Sequence, residues 1–311
     1  MKNLNEIVEA VRNYPGVVRK KYAGYFSKLV KAEFYGEDAA YMKFGEEYII
    51  FATDSVWHKV IEADLYWAGF VSVLVNVHDI YAMGGKPLAA LNVVSARSKE
   101  EMEEIARGIR DACEKFDVKI VGGHIHPDAK VPSIDVSMIG VAKSILRSDT
   151  AKTGDRIVFA ADIEGKPHPK LIYNFDSTKK SKEVLRNQFE SMVEIAEKKL
   201  ANAAKDVSNA GLLGTIAMMM EVSGKGCKIF VDRIFKPKNV SFIQWLLSYP
   251  ACAFVVTTKN ERKVVEVFEK HNLTAEVIGI VTDDKKVLLK SEGDEALLFD
   301  LNLESVLEIR E

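Results

Sequence analysis

The stretch Asn76-Val77-His78-Asp79-Ile80-Tyr81-Ala82-Met83-Gly84-Gly85-Lys86-Pro87 carries the clearest indication of the fold. It closes an apolar run whose length predicts a largely buried helix from Tyr66 to Met83. Two glycines and then a proline end that helix, as is typical of helix C-termini. Asn76 and Asp79 lie three residues apart and share one face. Because polar groups on a buried helix need partners, each should meet either backbone or a metal ion.

Two further acidic stretches lie upstream, Gly36-Glu37-Asp38-Ala39-Ala40 and Ala52-Thr53-Asp54-Ser55-Val56. Asp54 directly follows an apolar strand predicted at residues 48–52, so its carboxylate should lie at the rim of a sheet, where ligands bind in mixed α/β folds. The alternative is an aspartate that merely starts a turn. If Asp38, Asp54 and Asp79 converge, their charges must be neutralised. Mg²⁺ that holds polyphosphate is the usual solution.

Two other stretches are candidates for contacting phosphate. Gly122-Gly123-His124 follows a strand predicted at residues 118–121, and its glycines either open the backbone N–H groups to an anion or form a plain tight turn. Asp206-Val207-Ser208-Asn209 precedes a predicted helix and either caps it or faces phosphate. Phosphate-loop, GxGxxG, GxSxG and HExxH motifs do not occur.

Composition narrows the class of protein. The 311 residues are 48% hydrophobic and 28% charged, and the formal net charge of −2 gives no support to nucleic-acid binding. The three cysteines are scattered without CxxC spacing, which suits a reducing cytoplasm. The polar N-terminus does not resemble a signal sequence, and no apolar run approaches the roughly 18 residues of a membrane helix. We therefore expect a soluble cytoplasmic protein that binds neither nucleic acid nor membrane.

The pattern of elements predicts an α+β protein in two halves. Residues 1–30 are expected to form an N-terminal arm, residues 31–146 a first domain, and residues 147–311 a second. A capping box at Ser98-Lys99-Glu100-Glu101 should open a helix. A long helix is expected near 181–203, and the closing strand pair near 286–299.

Taken together and in order, these motifs resemble the aminoimidazole ribonucleotide synthetase-like superfamily, which includes that purine enzyme, thiamine-monophosphate kinase, selenophosphate synthetase and a hydrogenase maturation protein. The resemblance spans roughly residues 31–290. The stretch from Asp79 to Leu88 is most similar to selenophosphate synthetase, whereas Arg147 with Gly154-Asp155 is more similar to the kinase. As a whole the chain is similar to the archaeal branch labelled methanogenesis marker protein 2.

The resemblance implies a two-domain PurM-like fold. An N-terminal α+β domain forms a β-barrel across a homodimer and binds ATP, and a C-terminal α+β domain follows. ATP and Mg²⁺ would be cofactors in the cleft, beside a small-molecule substrate that cannot be inherited from any member. Carried over by position, the metal site is Asp38, Thr53, Asp54, Asp79 and Asp206. The ATP site is Asp38, Asp54, Asn76, Gly122, Gly123, His124, Arg147, Ser208 and Asn209, and the catalytic residues are Asp54 and Lys59.

The chain also departs from the family pattern. No cysteine precedes Cys113, so selenophosphate synthesis is not expected, and Asn209 and His124 stand where the kinase has aspartates. Fewer or differently placed metal ions should follow. We expect an ATP-dependent enzyme that phosphorylates or activates an oxygen of a small substrate, with Lys20, Lys21 or Lys59 near the phosphates. The alternatives are a non-catalytic nucleotide-binding assembly factor and a scaffold with coincidental acids.

Overall fold

The computed structural model describes residues 3–33 and 36–309. The chain begins with three helices, α1 (Leu4–Arg12), α2 (Pro15–Val18) and α3 (Lys21–Val30). The apolar residues of α1 are buried in the core of the C-terminal half, where the helix packs beside the last strand of the chain. Among the described residues, no helix combines the length and apolar character needed to cross a membrane.

The first sheet has five strands in the order β1-β2-β5-β3-β4. Only the β3–β4 pair is parallel, and β4 forms one edge. The strands are β1 (Ala40–Phe44), β2 (Glu47–Ser55), β3 (Lys86–Ser95), β4 (Lys119–His126) and β5 (Ser133–Ala142). Helices α4 (His58–Ala63), α5 (Leu65–Ala82) and α6 (Lys99–Phe116) complete this half.

The predicted central helix is confirmed as α5, which is shifted by one residue at each end. It ends before Gly84, whose φ of +82° suits glycine best. The predicted capping box is confirmed as well, since the Ser98 hydroxyl accepts a hydrogen bond from the Glu101 N–H at the start of α6. These local rules were sufficient to locate both helices.

The second sheet has seven strands in the order β15-β14-β10-β13-β6-β12-β9, and a three-stranded sheet, β11-β8-β7, lies beside it. The strands are β6 (Arg156–Ala161), β7 (Lys166–His168), β8 (Leu171–Asp176), β9 (Ala203–Asp206), β10 (Gly226–Phe230), β11 (Tyr249–Pro250), β12 (Ala253–Thr258), β13 (Thr274–Thr282), β14 (Lys286–Ser291) and β15 (Asp294–Asp300). The helices are α7 (Lys182–Glu197), α8 (Gly211–Val222), α9 (Phe242–Leu246) and α10 (Glu261–Lys270), with one 3₁₀ turn at Val231–Arg233.

The helix predicted near 181–203 is too long by six residues. It ends at Glu197, and Lys199 has a φ of +51°, which stops helical hydrogen bonding. Residues Ala203–Asp206 instead pair with β12 as strand β9. Pairing with a buried neighbouring strand therefore overrides the helical pattern of the sequence.

Helices fill the space between the two sheets. Alternate residues of β6 point to opposite sides, so Val158 joins the core that contains α5 and α7, whereas Phe159 joins the core that contains α1 and α8. The other face of the first sheet is open and apolar, with Phe51, Leu91, Val93 and Ile139 each at least 40% exposed. Exposed apolar faces of this kind are typical of interaction surfaces.

Candidate functional site

An acidic pocket lies where the two halves meet. Its four aspartates come from different elements: Asp38 precedes β1, Asp54 lies near the end of β2, Asp79 lies on α5, and Asp206 ends β9. The pocket has a volume of about 230 Å³. Thr53, Ser208 and Asn209 also line it. The fold thus brings together seven of the thirteen residues assigned to metal, ATP or catalysis from sequence, together with Lys20, one of the three lysines predicted near the phosphates.

The carboxylates are close enough to share one cation. Oxygen atoms of Asp38, Asp79 and Asp206 all lie within 4.8 Å of one another. Burial raises the pKa of Asp79 well above its ordinary value, and the charges of the neighbouring carboxylates add to that rise. Burial also raises the pKa of Asp38, the Lys205 ammonium offsets part of the rise, and the resulting pKa is about 7. Three converging hard oxygen ligands with excess negative charge fit Mg²⁺.

Lys205 holds the acidic cluster together from within the protein. Its ammonium group forms an ion pair with Asp38 and donates a hydrogen bond of 3.0 Å to the Gly36 carbonyl oxygen. The backbone N–H of Asp206 donates to the second oxygen of Asp38 at 3.1 Å. Burial alone would lower the pKa of Lys205. The surrounding carboxylates raise it by a larger amount, so the resulting pKa is about 12. Lys205 therefore stays charged and neutralises part of the cluster.

Lys20 places a second ammonium group in the pocket. It lies between α2 and α3 and lines the same pocket as the aspartates. Burial and the charge of Lys205 lower its pKa. Within the described part of the chain, no carboxylate oxygen lies within the 4.0 Å of an ion pair with Lys20. The charges of Asp206, Asp54 and Asp38 oppose the lowering of its pKa, so Lys20 is electrostatically linked to the acids without forming an ion pair with any of them.

His78 and Tyr249 form the wall behind Asp206. The backbone N–H of Ala253 donates to His78 Nε2 at 3.3 Å, so the ring proton lies on Nδ1, 3.4 Å from the Tyr249 hydroxyl and 3.7 Å from Asp206 Oδ2. Burial lowers the pKa of His78 to about 3, so the imidazole is neutral. A neutral ring can orient Asp206 without adding charge to the pocket.

Sequence reasoning did not assign His78, Lys205 or Tyr249 to the site. Lys205 directly precedes Asp206, but a lysine in an apolar strand context gives no signal of its own. His78 lies within the quoted helix beside Asp79, and its role depends on contact with Ala253, 175 residues away. Only the tertiary fold brings these groups together.

Six residues proposed from sequence do not line the acidic pocket. Lys59 lies on α4, with its ammonium 4.9 Å from the centre of the Trp57 ring, on which Arg19 also stacks at 4.4 Å. Asn76 is fully buried, donates to the Ser72 carbonyl at 2.9 Å, and leaves its own side-chain oxygen without a partner among the described residues. Arg147 pairs with Asp149 at 2.8 Å. The other three are Gly122, Gly123 and His124 of β4.

The glycines of β4 and the acidic pocket lie on one row of the first sheet. Asp54 pairs with Val136, Val136 with Asn92, and Asn92 with Gly123. Three strand spacings separate the ends of this row, or about 14 Å. A Cβ on Gly123 would overlap the Asn92 carbonyl oxygen, so only glycine fits there. The strand, rather than a tight turn, holds these glycines.

A largely apolar cavity of about 560 Å³ lies beside this end of β4. It separates β3 and β4 from α6 and is lined by Asn92, Val94, Met102, Ile105, Ile109, Ile120 and Ile125, among others. Its size and apolar walls are suited to a planar organic group.

Family models match both halves of the chain. The AIR synthase related protein N-terminal domain matches residues 36–142, and the C-terminal domain of the same family matches residues 156–290. The two matched ranges contain each of the four pocket aspartates and Lys205.

Several relatives are similar over much of the chain. An uncharacterised protein of Methanocaldococcus jannaschii is 40% identical over 98% of this chain and 99% of its own length. An uncharacterised protein of Synechocystis is 34% identical over 86% of this chain and 84% of its own length. The thiamine-monophosphate kinase of Pyrococcus abyssi is 29% identical over 59% of this chain and 62% of the kinase.

Solved structures share the fold at low identity. PurL of Thermotoga maritima complexed with ATP is 19% identical, with a TM-score of 0.77 over 90% of this chain and 49% of PurL. AaThiL complexed with AMPPCP and TMP is 20% identical, with a TM-score of 0.67 over 88% of this chain and 95% of AaThiL. This chain spans about half the length of the PurL chains that it matches. These likenesses establish a two-domain α+β fold of the PurM-like type.

Proposed function

The chain belongs to the AIR synthase related protein family, and from this premise we propose that it is a Mg²⁺-dependent enzyme that uses ATP to phosphorylate or activate an oxygen of a small substrate. The observation that carries the proposal is the convergence of Asp38, Asp79 and Asp206 within 4.8 Å in a pocket that Lys20 also lines. Relatives named thiamine-monophosphate kinase and selenide, water dikinase support phosphoryl transfer.

The four aspartates, together with the Thr53 hydroxyl, would hold Mg²⁺. When bound, Mg²⁺ would neutralise phosphate oxygens and stabilise charge on the transferred group. Asp54 lies at the open side of the pocket, where it would face both metal and nucleotide and serve the catalytic step. Lys20 would pair with a phosphate, because it lines the pocket and forms no ion pair within 4.0 Å among the described residues. Lys59 stays a prediction for catalysis, and Asn76 and Arg147 stay predictions for the nucleotide site.

The row from Gly123 to Asp54 suggests how ATP would lie. The adenine would occupy the apolar cavity beside β4, and the phosphates would pass Gly122, Gly123 and His124 toward the acids. Ser208 and Asn209 would bound the phosphates on the far side, and the Ser208 hydroxyl is buried without a partner among the described residues. PurL complexed with ATP and with ADP supports ATP as the ligand.

We further propose a homodimer that covers the open face of the first sheet. Val93 and Leu91 project from that face, and its apolar character suits a second copy of the same surface better than water. A barrel formed across the two copies would bury it. Val93→Lys should then yield monomers in sedimentation experiments, whereas a dimer that persists in this variant would contradict the arrangement.

Calorimetry and phosphate release test the assignment of the pocket. Wild-type protein should bind ATP only with Mg²⁺ and should release phosphate when supplied with pooled small metabolites. Asp54→Asn should lose this turnover, while the exposed control Asp232→Asn should keep it. Unchanged turnover in Asp54→Asn would overturn the catalytic assignment. Binding of Mg²⁺-ATP without any product would instead indicate a nucleotide-binding assembly factor.

A further inference from the structure

A third cavity, rich in lysine, shares no lining residue with the acidic pocket. It has a volume of about 790 Å³ and is enclosed by the turn at residues 163–165, the β7–β8 hairpin, and the segment at residues 236–240. Five lysines line it, against two carboxylates: Lys166, Lys179, Lys180, Lys236 and Lys238, with Glu164 and Asp176. A small-molecule site of this volume is ordinary in proteins.

Three of these lysines have no counterion in the described part of the chain. Lys180 is paired, with its ammonium 2.8 Å from Asp162 and 3.0 Å from Glu164. For the exposed Lys166, Lys179 and Lys238, no described carboxylate lies within ion-pair distance. Like charges that face one cavity repel one another, so an anion between them would be stabilised. Lysine ammonium groups are good point-charge partners for phosphate.

Two polar groups at the cavity wall have unused hydrogen-bonding capacity. The Lys236 ammonium donates to the carbonyl oxygens of Pro237 at 3.2 Å and Val240 at 2.7 Å, which leaves one of its three hydrogens free. Ser177 is only 2% exposed, and its hydroxyl has no partner among the described residues. A buried hydroxyl without a partner is destabilising, and a ligand oxygen at this wall would relieve that deficit.

The rest of the cavity wall is apolar, and prolines restrict its backbone. Ile163 and Val240 contribute aliphatic surface, and Pro167 and Pro237 restrict the backbone on either side. Such a wall suits the organic part of a ligand whose charged end meets the lysines. Inorganic anions alone would leave this surface unused.

The cavity lies at the same end of the second sheet as the acidic pocket. Asp206 at the end of β9 pairs with Phe254, and Phe254 pairs with Ala160 near the end of β6. Two strand spacings, or about 10 Å, therefore separate Asp206 from the end of β6 that leads into the turn at residues 163–165. The two sites are neighbours with opposite charge.

From this geometry we infer that the lysine-rich cavity binds the phosphate group of a small organic phosphate ester, without Mg²⁺. This inference goes beyond the proposed use of ATP and does not depend on it. The lysines would pair with phosphate oxygens, Ser177 would donate a hydrogen bond, and Ile163 and Val240 would contact the organic part.

Titration calorimetry in EDTA separates this site from the acidic pocket, because an acidic pocket without metal repels phosphate. Phenyl phosphate should bind wild-type protein, and Lys179→Glu/Lys238→Glu should weaken binding by at least about tenfold through lost charge-assisted contacts. The control Lys152→Glu/Lys263→Glu makes the same change in net charge at exposed lysines elsewhere, and its affinity should stay within about twofold. Equal losses of phenyl phosphate affinity in both variants would overturn the assignment of this cavity as the binding site.

Further measurements identify the chemical class of the ligand. Ser177→Ala should weaken phenyl phosphate binding while both circular dichroism and the unfolding midpoint remain near wild type. Phenyl phosphate that binds more tightly than inorganic phosphate would support an organic ester, and equal affinities would assign the site to the free anion. Absence of binding by both, or binding only of a glutamate-rich peptide, would refute the inference. Normal Mg²⁺-ATP binding in the same sample would leave the proposed function standing.

Discussion

Asp79 and Glu194 are carboxylates on neighbouring helices, and their surroundings shift their pKa values in opposite directions. Asp79 lies among other acids, and burial together with their charges raises its pKa. Glu194, on α7, receives hydrogen bonds from Lys198 at 2.7 Å, Lys270 at 2.8 Å and His271 at 2.8 Å, and these lower its pKa to about 2. The carboxylates around Asp79 outnumber the ammonium groups beside them, whereas the single charge of Glu194 is matched by its own neighbours.

This difference separates a ligand site from a structural ion pair. The Glu194 cluster satisfies its own charges and needs no further group. The acidic pocket holds five carboxylates, those of its four aspartates and of Glu37, against Lys205 and Lys20, so the protein alone leaves it with excess negative charge. A cation would supply what is missing, and perturbed groups that share a cleft are typical of functional sites.

Removing the internal cation should have the largest effect. Lys205→Met leaves Asp38 and Asp206 buried without their partner, and we expect the free energy of unfolding to fall by about 3–5 kcal/mol. Urea unfolding measures this loss, with the exposed Lys263→Met as a control that should change it by less than about 0.5 kcal/mol. Added Mg²⁺ should restore part of the loss. A variant as stable as wild type would show that Lys205 does not neutralise the cluster.

Removing one acidic side chain should weaken Mg²⁺-dependent ATP binding but increase the stability of the metal-free protein. Asp79→Asn should weaken Mg²⁺-dependent ATP binding by at least about 100-fold, since losing even a group that supports a ligand costs 10–100-fold. Without metal, the same variant should unfold at higher urea concentration, because repulsion among the buried carboxylates decreases. Glu194→Gln is the matched control, which should bind ATP normally and be less stable. Lower metal-free stability in Asp79→Asn would contradict the excess of charge.

Helix α2 distinguishes the two clusters in a second way, since it covers only the acidic pocket. A Cβ on Gly16 would overlap the Asn209 carbonyl oxygen, so Gly16→Ala should push α2 and Lys20 away from the phosphates. Overpacking of this kind costs about 1–3 kcal/mol, and we expect ATP affinity to fall by about tenfold. Val17→Ala destabilises the same helix through a cavity and leaves the contact at Asn209 intact. If calorimetry finds equal ATP affinity in both variants, α2 does not position the nucleotide site.

Much of this organisation could be predicted from local sequence. The length and apolar character of residues 66–83 were enough to predict α5, and Asp54 could be located at a strand end. Asn76 and Asp79 share a helix face, but only Asp79 reaches the pocket, because a spacing of three leaves the two side chains about 60° apart around the helix. The amide of Asn76 instead returns to Ser72.

The charge balance of the pocket could not be predicted, because it depends on distant contacts. Lys205 meets Asp38 across 167 residues, and Lys20 comes from the N-terminal helices. No periodicity in the sequence encodes such pairings. The sequence predicted a metal ion among converging acids and one of Lys20, Lys21 or Lys59 near the phosphates, whereas the buried Lys205 was not predicted. The metal therefore has less charge to neutralise than four aspartates would suggest.

The smallest expected effect is the pH dependence of the Glu194 cluster. Its pKa is lowered in the folded state, so its contribution to stability is present above the unfolded value of 4.5 and is lost as pH falls toward 2. We expect Glu194→Gln to be less stable than wild type by about 1 kcal/mol at pH 7, as for surface ion pairs, and this difference should shrink between pH 5 and pH 2. Urea unfolding of both proteins across that range measures it. A difference that is independent of pH would mean that Glu194 stabilises the protein through packing rather than charge, and the contrast with Asp79 would then rest on the acidic pocket alone.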